Sequence, residues 1–358
     1  MKKLHLLLAA ALPLAAATAH ADVTIYGILD IGPTHVDNVG GKSANQMDAG
    51  TLQQSRLGFK GEEKLMGNTV AFFQLESGFN IDTGALATAN TLFSRDARVG
   101  LKGDFGMVSL GRQANATVDA LAPFSAAMLG YGPSYMAAHP GNHDRILNIP
   151  TDNSIKYTTP SFGGLNAVVL YGAGEQAGNT RQNSVRNAAL TYKSGAFSAG
   201  ASYLWQSGSN VTNAALLAPA ANPYGATGAA DVLRSSGIGA GYNFGTTYLH
   251  GILSQSKFGL SGTTVRSLEV GVKYPTGPWV LGADVTHTRV VDRADIDVLI
   301  VSAAYYLSKR TNLYATLASA DADGSNAAGT PLSAQIFTLG ASSDGQQRAL
   351  HLGLRHVF

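Results

Sequence analysis

Few residues in this sequence are spaced for chemistry. Ser254-Gln255-Ser256-Lys257 has the S-x-x-K spacing of an acyl-enzyme, but its Ser-Asp-Asn and Lys-Thr-Gly partner motifs are absent. His139, His143 and Asp144 could in principle bind a metal ion from a loop, although such short clusters are usually coincidental. The chain has no cysteine, which excludes thiol catalysis and thiolate metal ligands. We therefore predict no catalytic, metal-binding or cofactor-binding residues, and no cofactor.

A more regular signal comes from basic residues that alternate with apolar ones. Arg56 and Lys60 share one face of an extended segment, whereas Leu57 and Phe59 share the other face. Strict alternation of this kind indicates a strand with one polar and one apolar surface. The basic residues are thus expected to point to one side of a sheet.

The same alternation recurs along the chain, interrupted by Gly, Asn, Asp, Ser or Pro. It predicts an all-β chain with sixteen strands. The predicted strands are 22–31, 53–61, 69–79, 94–103, 106–113, 152–159, 164–171, 185–193, 196–206, 232–242, 246–255, 264–274, 278–288, 296–306, 311–320 and 348–358.

Short and long connections alternate between these strands. Links such as 102–106 and 193–196 are tight, whereas 32–52, 114–151 and 321–347 are long and polar or rich in Gly and Ala. This asymmetry is typical of an outer-membrane barrel, which has short periplasmic turns and longer extracellular loops. Every backbone group must be satisfied in lipid, so the sheet has to close, and sixteen strands enclose a water-filled channel.

Residues 1–21 have the features of a signal peptide. Lys2 and Lys3 precede an apolar run, and Ala19-His20-Ala21 forms an A-x-A cleavage site. Removal of both lysines leaves 23 of the 25 basic residues against 23 acidic ones, so the mature chain is formally neutral. This balance gives no support for a nucleic-acid partner. We assign 22–358 to one barrel domain, since no linker divides it.

Motifs along nearly the whole mature chain resemble the general porins of Gram-negative bacteria, in particular the trimeric type of β-proteobacteria. The motifs are Val23-Thr24-Ile25-Tyr26-Gly27-Ile28-Leu29-Asp30, Ser55-Arg56-Leu57-Gly58-Phe59-Lys60-Gly61, Phe73-Gln74-Leu75-Glu76-Ser77-Gly78-Phe79, Leu110-Gly111-Arg112-Gln113, Asn153-Ser154-Ile155-Lys156-Tyr157 and Gly353-Leu354-Arg355-His356-Val357-Phe358. The resemblance implies a 16-stranded antiparallel transmembrane β-barrel that assembles as a homotrimer. It also implies that the third long loop, about 114–151, folds into the lumen as a constriction.

The resemblance places arginines of the second and fourth strands against this loop, and Arg56 and Arg95 match them. Arg95 shares the parity of lipid-facing residues, so it must lie above the membrane or beyond a bulge, and Arg98 can substitute for it. The nearest match to a third family arginine is Arg145. The complete predicted set comprises the pore-constriction residues Arg56, Lys60, Arg95, Arg98, Asp119 and Lys156 and the acidic lumen residues Glu76 and Glu269.

These features predict a passive outer-membrane channel for small hydrophilic solutes, with a moderate preference for anions. The alternatives are a substrate-specific channel and a barrel hydrolase. The hydrolase needs a Ser/His/acid set, and the predicted register places no histidine at lumen parity beside such a serine. The expected partners are outer-membrane lipid, lipopolysaccharide and the barrel-assembly machinery, whose recognition signal the terminal Phe358 resembles.

Overall fold

The structure, a computed structural model, describes residues 22–131, 134–208, 217–225 and 231–358. The predicted signal peptide, residues 1–21, lies outside the described residues and remains a prediction. Among the described residues, no helix has the length and apolar character required to cross a membrane.

The described chain consists mainly of seventeen strand segments. They are β1 (Asp22–Val39), β2 (Lys42–Ala49), β3 (Arg56–Lys64), β4 (Val70–Gly78), β5 (Asp96–Gly103), β6 (Gly106–Gln113), β7 (Thr151–Thr158), β8 (Leu165–Gly172), β9 (Val185–Ser194), β10 (Phe197–Ser207), β11 (Val232–Phe244), β12 (Thr247–Phe258), β13 (Thr264–Thr276), β14 (Trp279–Val290), β15 (Ala294–Tyr306), β16 (Thr311–Gly324) and β17 (Gln346–Val357). Helix α1 (Ala116–Leu121) and short 3₁₀ helices at Ala122–Phe124, Tyr135–Ala137, Pro140–Asn142 and Pro219–Ala221 lie in the loops.

The strands form one closed antiparallel barrel, because β1 pairs with β17 as well as with β2 and β3. Residues 31–39 of β1 pair with β2, and residues 22–28 of β1 pair with β3. Strands β2 and β3 therefore occupy a single strand position in the wall. The wall therefore has sixteen strand positions, as the alternation predicts. Phe358 completes the closure through two backbone hydrogen bonds of 3.1 Å with Gly27.

The predicted long link 32–52 is wrong, because β1 continues to Val39 and turns back into β2. The turn consists of Gly40 and Gly41, both with positive φ, between the paired residues Val39 and Lys42. A two-residue turn with positive φ at both positions matches the twist of a hairpin, and adjacent glycines adopt it without strain. Polar composition obscured this hairpin in the sequence.

The two ends of the barrel differ as predicted. At one end, links 104–105, 195–196, 245–246 and 277–278 are two-residue turns. At the other end, the connections 79–95, 114–150, 173–184, 208–231 and 325–345 are long, although 259–263 and 291–293 are short. Outward-facing positions carry exposed apolar side chains such as Ile25, Val99 and Leu352, which form the lipid-facing surface.

The connection 114–150, called the constriction loop below, packs inside the barrel. Asn115 caps α1 by accepting a hydrogen bond of 3.1 Å from the Val118 amide. Leu121 and Phe124 of the loop are buried against wall residues that include Ile252. The inward position of β10 facing α1 is Gly200, where any Cβ would collide with the Ala120 carbonyl. The glycine thus allows the helix backbone to lie directly on the wall.

Candidate functional site

The wall of β3, β4 and β5 carries a cluster of charges around Glu76. Arg95 Nε lies 2.6 Å from Glu76 Oε1, and Arg56 Nη1 lies 3.8 Å from the same oxygen. The Tyr26 hydroxyl donates to the other carboxylate oxygen at 3.0 Å. One carboxylate therefore faces two guanidinium groups, and the cluster keeps excess positive charge.

Arg95 faces the interior even though its parity in the sequence matches outward residues. Strand β5 begins at Asp96, so Arg95 precedes the strand and does not follow its alternation. Its guanidinium also donates to the side chain of Gln54. Burial disfavours the charged guanidinium, but Tyr135 and Glu76 outweigh burial and raise the pKa of Arg95. The loop before β5 thus resolves the parity conflict without a bulge.

Arg98 and Lys60 lie farther along the same wall. Arg98 donates to Gln74 Oε1 at 2.7 Å, and its Nε lies 3.2 Å from Asp96 Oδ1. Lys60 is exposed, with its Nζ 5.4 Å from the centre of the Tyr26 ring. We call Arg56, Lys60, Arg95 and Arg98 the basic wall. These four basic side chains are accompanied by two carboxylates, Glu76 and Asp96, which leaves a formal charge excess.

Lys156 of β7 lies at the edge of the constriction loop. Its side chain is 3% exposed, and its Nζ lies 2.5 Å from Asp119 Oδ2 and donates to the Ala114 carbonyl at 3.1 Å. The Asp119 side chain is 35% exposed. Each charge compensates the other, so this pair fastens α1 to the wall and adds little net charge to the lumen.

The other end of the loop is held by a second polar cluster. His139 lies between two carboxylates, with Nδ1 2.6 Å from Asp144 Oδ2 and Nε2 2.9 Å from Glu269 Oε2. Ser254 also donates to Asp144, at 2.6 Å. His143 is hydrogen-bonded to Ser256 and Ser267 at 3.1 and 2.8 Å. We call His139, His143, Asp144, Ser254, Ser256, Ser267 and Glu269 the buried anchor.

The buried anchor has the electrostatics of a structural cluster. Burial opposes the charged form of His139, but Asp144 and Glu269 raise its pKa well above the usual value. Burial likewise opposes ionisation of Asp144, but the charge of His139 and the hydrogen bonds from His139 and Ser254 hold its pKa well below the usual value. Burial lowers the pKa of His143 to about 4. A charged His139 therefore bridges two carboxylates while His143 stays neutral.

The structure places two expected residues away from the pore. Glu269 faces inward, as its parity predicts, but the constriction loop covers it completely. Arg145 is fully buried and donates to Gln206 Oε1 at 2.9 Å, and burial lowers its pKa to about 10. Asp144 is also enclosed. Asp119 is therefore the loop carboxylate with substantial exposure among the described residues 114–131 and 134–150.

Sequence reasoning missed a second inward insertion, residues 50–55. Asp30 accepts hydrogen bonds from the Leu52 and Gln53 amides at 3.0 and 2.6 Å, and from the Tyr314 hydroxyl at 2.6 Å. Arg355 donates to Gln53 at 2.8 Å, which adds another basic side chain to the interior. Asp30 and Arg355 lie at inward-facing positions of the first and last sequence motifs. These two positions were the sequence feature that could have indicated the insertion.

The comparisons with known proteins agree with this geometry. The family model described as Gram-negative porin matches residues 8–325. The chain is 30% identical to outer membrane porin protein 32 of Delftia acidovorans, with both chains fully covered. The chain belongs to the Gram-negative porin family. It is also 29% identical to an outer membrane porin of Bordetella pertussis, over 84% of this porin and 89% of the relative.

A solved structure supports the same assignment. The anion-selective porin from Comamonas acidovorans superposes with a TM-score of 0.78 and 27% identity, over 95% of this porin and all of that chain. The 16-stranded barrel predicted from the alternation is confirmed. This porin is an outer-membrane channel protein.

Proposed function

We propose that this porin is a passive channel for small hydrophilic solutes and ions, with a moderate preference for anions. The observation that carries the proposal is the charge excess of the basic wall opposite a loop whose exposed carboxylate, Asp119, is already paired with Lys156. Fixed charges in a narrow channel attract counter-ions and repel co-ions. The name of the Comamonas relative agrees with this direction.

The test is the reversal potential of single channels in a KCl gradient. A unit charge about 10 Å from an ion in water is worth about 0.4 kcal/mol. Arg56→Glu changes the charge by two units, which should lower the chloride-to-potassium permeability ratio by roughly 15-fold before salt screening. Arg181→Glu in the exposed connection 173–184 makes the same change outside the barrel interior and should leave the ratio nearly unchanged. A cation-selective wild-type channel, or an unchanged ratio in Arg56→Glu, would contradict the proposal.

We expect no enzymatic turnover. The structure brings a histidine beside lumen serines from the constriction loop, outside the strand parity considered in the sequence, since His143 bonds Ser256 and Ser267. However, both ring nitrogens contact serines, so no carboxylate orients the ring, and the cluster is enclosed. Ser254 donates to Asp144, whose lowered pKa makes it a weak base, and no histidine contacts the Ser254 hydroxyl among the hydrogen bonds of the described residues. Ester hydrolysis by pure protein that is lost in Ser254→Ala would overturn this expectation.

Lipopolysaccharide is the proposed neighbour of the outer surface at the loop end. Arg234 stands directly opposite Lys257, and both lie on outward-facing exposed positions. Like charges in directly opposed strand positions repel each other. A phosphate-bearing lipid headgroup would relieve this repulsion. Arg234→Ala with Lys257→Ala should then reduce the lipopolysaccharide that copurifies with the barrel.

Homotrimer assembly and recognition by the barrel-assembly machinery form the part of the proposal that rests on family resemblance. Phe358 is 42% exposed next to the closing strand pair, so its ring is available for recognition. Its deletion should reduce insertion into the outer membrane while secretion across the inner membrane continues. Normal accumulation of heat-modifiable oligomer by the truncated chain would refute this role.

A further inference from the structure

Three adjacent strands bring a histidine and two carboxylates together beneath the constriction loop. His250 of β12 stands opposite Gly271 of β13, and Gly271 stands opposite Asp284 of β14. Glu269 lies two residues before Gly271 on the same inward face. One potential ligand atom from each of His250, Glu269 and Asp284 lies within 4.8 Å of the other two. All three side chains are at most 3% exposed.

The hydrogen bonds of His250 fix which ring nitrogen is available. Its Nδ1 lies 2.7 Å from the Phe124 carbonyl oxygen, which can only accept, so Nδ1 carries a proton. In a neutral ring, Nε2 then presents a lone pair. This nitrogen has no hydrogen-bond partner, and neither has the nearby Asp284 Oδ2. A buried polar atom without a hydrogen-bond partner costs free energy of folding. Two such atoms close together therefore indicate a bound group between them.

Gly271 leaves the space that an occupant requires. A Cβ built at this position would lie 2.5 Å from Asp284 Oδ2 and 2.6 Å from His250 Nε2. These are the two unpartnered atoms, and any side chain at 271 would push them apart. The glycine therefore maintains an open gap between a nitrogen donor and an oxygen donor.

The surroundings resemble the outer shell of a metal centre. Metal-ligating histidines commonly donate their second ring N–H to a backbone carbonyl, as His250 does to Phe124. Glu269 is oriented by the Ala126 amide at 2.5 Å and by His139 at 2.9 Å, both from the constriction loop. Ligating carboxylates are held by hydrogen bonds of this kind.

We propose that His250 Nε2, Glu269 and Asp284 bind one divalent transition-metal ion, with Zn²⁺ as the best match, and that this ion fastens the constriction loop to the wall. One imidazole and two carboxylates suit Zn²⁺, which takes nitrogen and oxygen ligands at about 2.0–2.2 Å in tetrahedral geometry. Water completes the coordination. No basic side chain forms an ion pair with Asp284 among the described residues.

The histidine cluster noted in the sequence is a poorer candidate. His139 uses both ring nitrogens on carboxylates, and His143 uses both on serines. A metal ion there would have to break these bonds. The proposed site instead uses His250 Nε2 and Asp284 Oδ2, which have no hydrogen-bond partner. Metal binding at this site is independent of the proposed channel function, because it does not depend on ions passing through the pore.

The experiment measures metal content and binding of the full mature chain. Since the ligands are buried, the protein is folded in detergent with Zn²⁺, passed through a desalting column, and analysed for bound metal. We expect one Zn²⁺ per chain and a higher temperature for loss of the compact band on gels. Folding with Co²⁺ should give the intense visible absorption of a tetrahedral site.

His250→Gln and Asp284→Asn each remove a ligand. Each should weaken binding by at least the roughly 10- to 100-fold that loss of an outer-shell partner causes. Gly271→Ala keeps all ligands but fills the gap, and it should also abolish binding. The control is His351→Gln, an inward-facing buried histidine of β17 whose nitrogens already bond Thr34 at 2.7 Å and Tyr314 at 3.0 Å.

The result that supports the site is stoichiometric metal in the wild type and in His351→Gln, with loss in the three site variants. A wild-type barrel that folds with Zn²⁺ present and retains none overturns the proposal. Equal binding by wild type, His250→Gln and Asp284→Asn overturns it as well. The wild-type measurement decides the question even if a variant does not fold.

Discussion

The basic wall and the buried anchor are both built from charged side chains on the inner surface of one barrel, but their surroundings differ. Arg56 and Arg98 retain 16% and 20% side-chain exposure, whereas His139 and Asp144 retain 2% and 1%. The wall has more cations than carboxylates. In the anchor, His139 bridges two carboxylates, and Ser254 donates a hydrogen bond to one of them.

This difference shows how one alternating pattern serves two purposes. Where the constriction loop covers the wall, polar side chains must find partners, and the cluster holds the loop. Where the wall faces the lumen, Arg56, Lys60 and Arg98 keep contact with water, and an excess of one sign can persist. The loop therefore decides which inward residues are structural and which can act on permeating ions.

The largest expected effect comes from breaking the anchor at Asp144. Asp144→Asn removes a charge partner of buried His139, and breaking a buried ion pair costs about 3–5 kcal/mol. We expect the free energy of unfolding to fall by this amount. Denaturant titration in detergent, monitored by tryptophan fluorescence, measures the change. Asp82→Asn, in the exposed connection 79–95, is the matched control. Equal stability of both variants would mean that the anchor does not hold the loop.

A smaller loss is expected from overfilling the contact between loop and wall. Gly200→Ala places a methyl group against the Ala120 carbonyl, and overpacking costs about 1–3 kcal/mol. Ala240→Val adds more volume but faces outward on β11, and it should be nearly neutral. Thermal conversion of the compact gel band measures both. If Gly200→Ala is as stable as the wild type, α1 does not rest on the wall as described.

Glu76→Gln tests whether the carboxylate of Glu76 reduces the positive charge of the basic wall. It removes the carboxylate that faces Arg56 and Arg95, so it should raise the chloride-to-potassium permeability ratio, in the direction opposite to Arg56→Glu. One unit charge at about 10 Å gives a change of roughly 4-fold before screening. The reversal potential in a KCl gradient measures it. A shift toward cations would show that Glu76 orders the arginines more than it neutralises them.

The smallest effect is the response of the wild-type channel to salt. The Debye length falls from about 10 Å at 0.1 M to about 3 Å at 1 M ionic strength. Anion preference from the basic wall should therefore weaken steadily as total KCl rises at a fixed gradient ratio. A preference that does not depend on salt would indicate selection by the shape of the channel instead of by its charge.

Much of the fold is readable from the sequence because a membrane strand repeats every two residues. Lipid requires apolar side chains on one face, and this requirement is met in every spanning segment. The alternation thus predicted sixteen strand positions, and it gave Arg56, Glu76 and Glu269 their inward direction. The β1–β2 hairpin was missed because it extends beyond the apolar pattern, where polar residues occupy both faces.

Only the tertiary structure decided what each inward residue meets. Parity could not tell that the constriction loop covers Glu269, that Arg145 is buried, or that Asp119 pairs with Lys156. It also could not bring His250 next to Asp284, because they are 34 positions apart and meet through the register of three strands. Local sequence determines the face on which a side chain lies. Its neighbours depend on strand register and loop placement, which are set by contacts between distant parts of the chain.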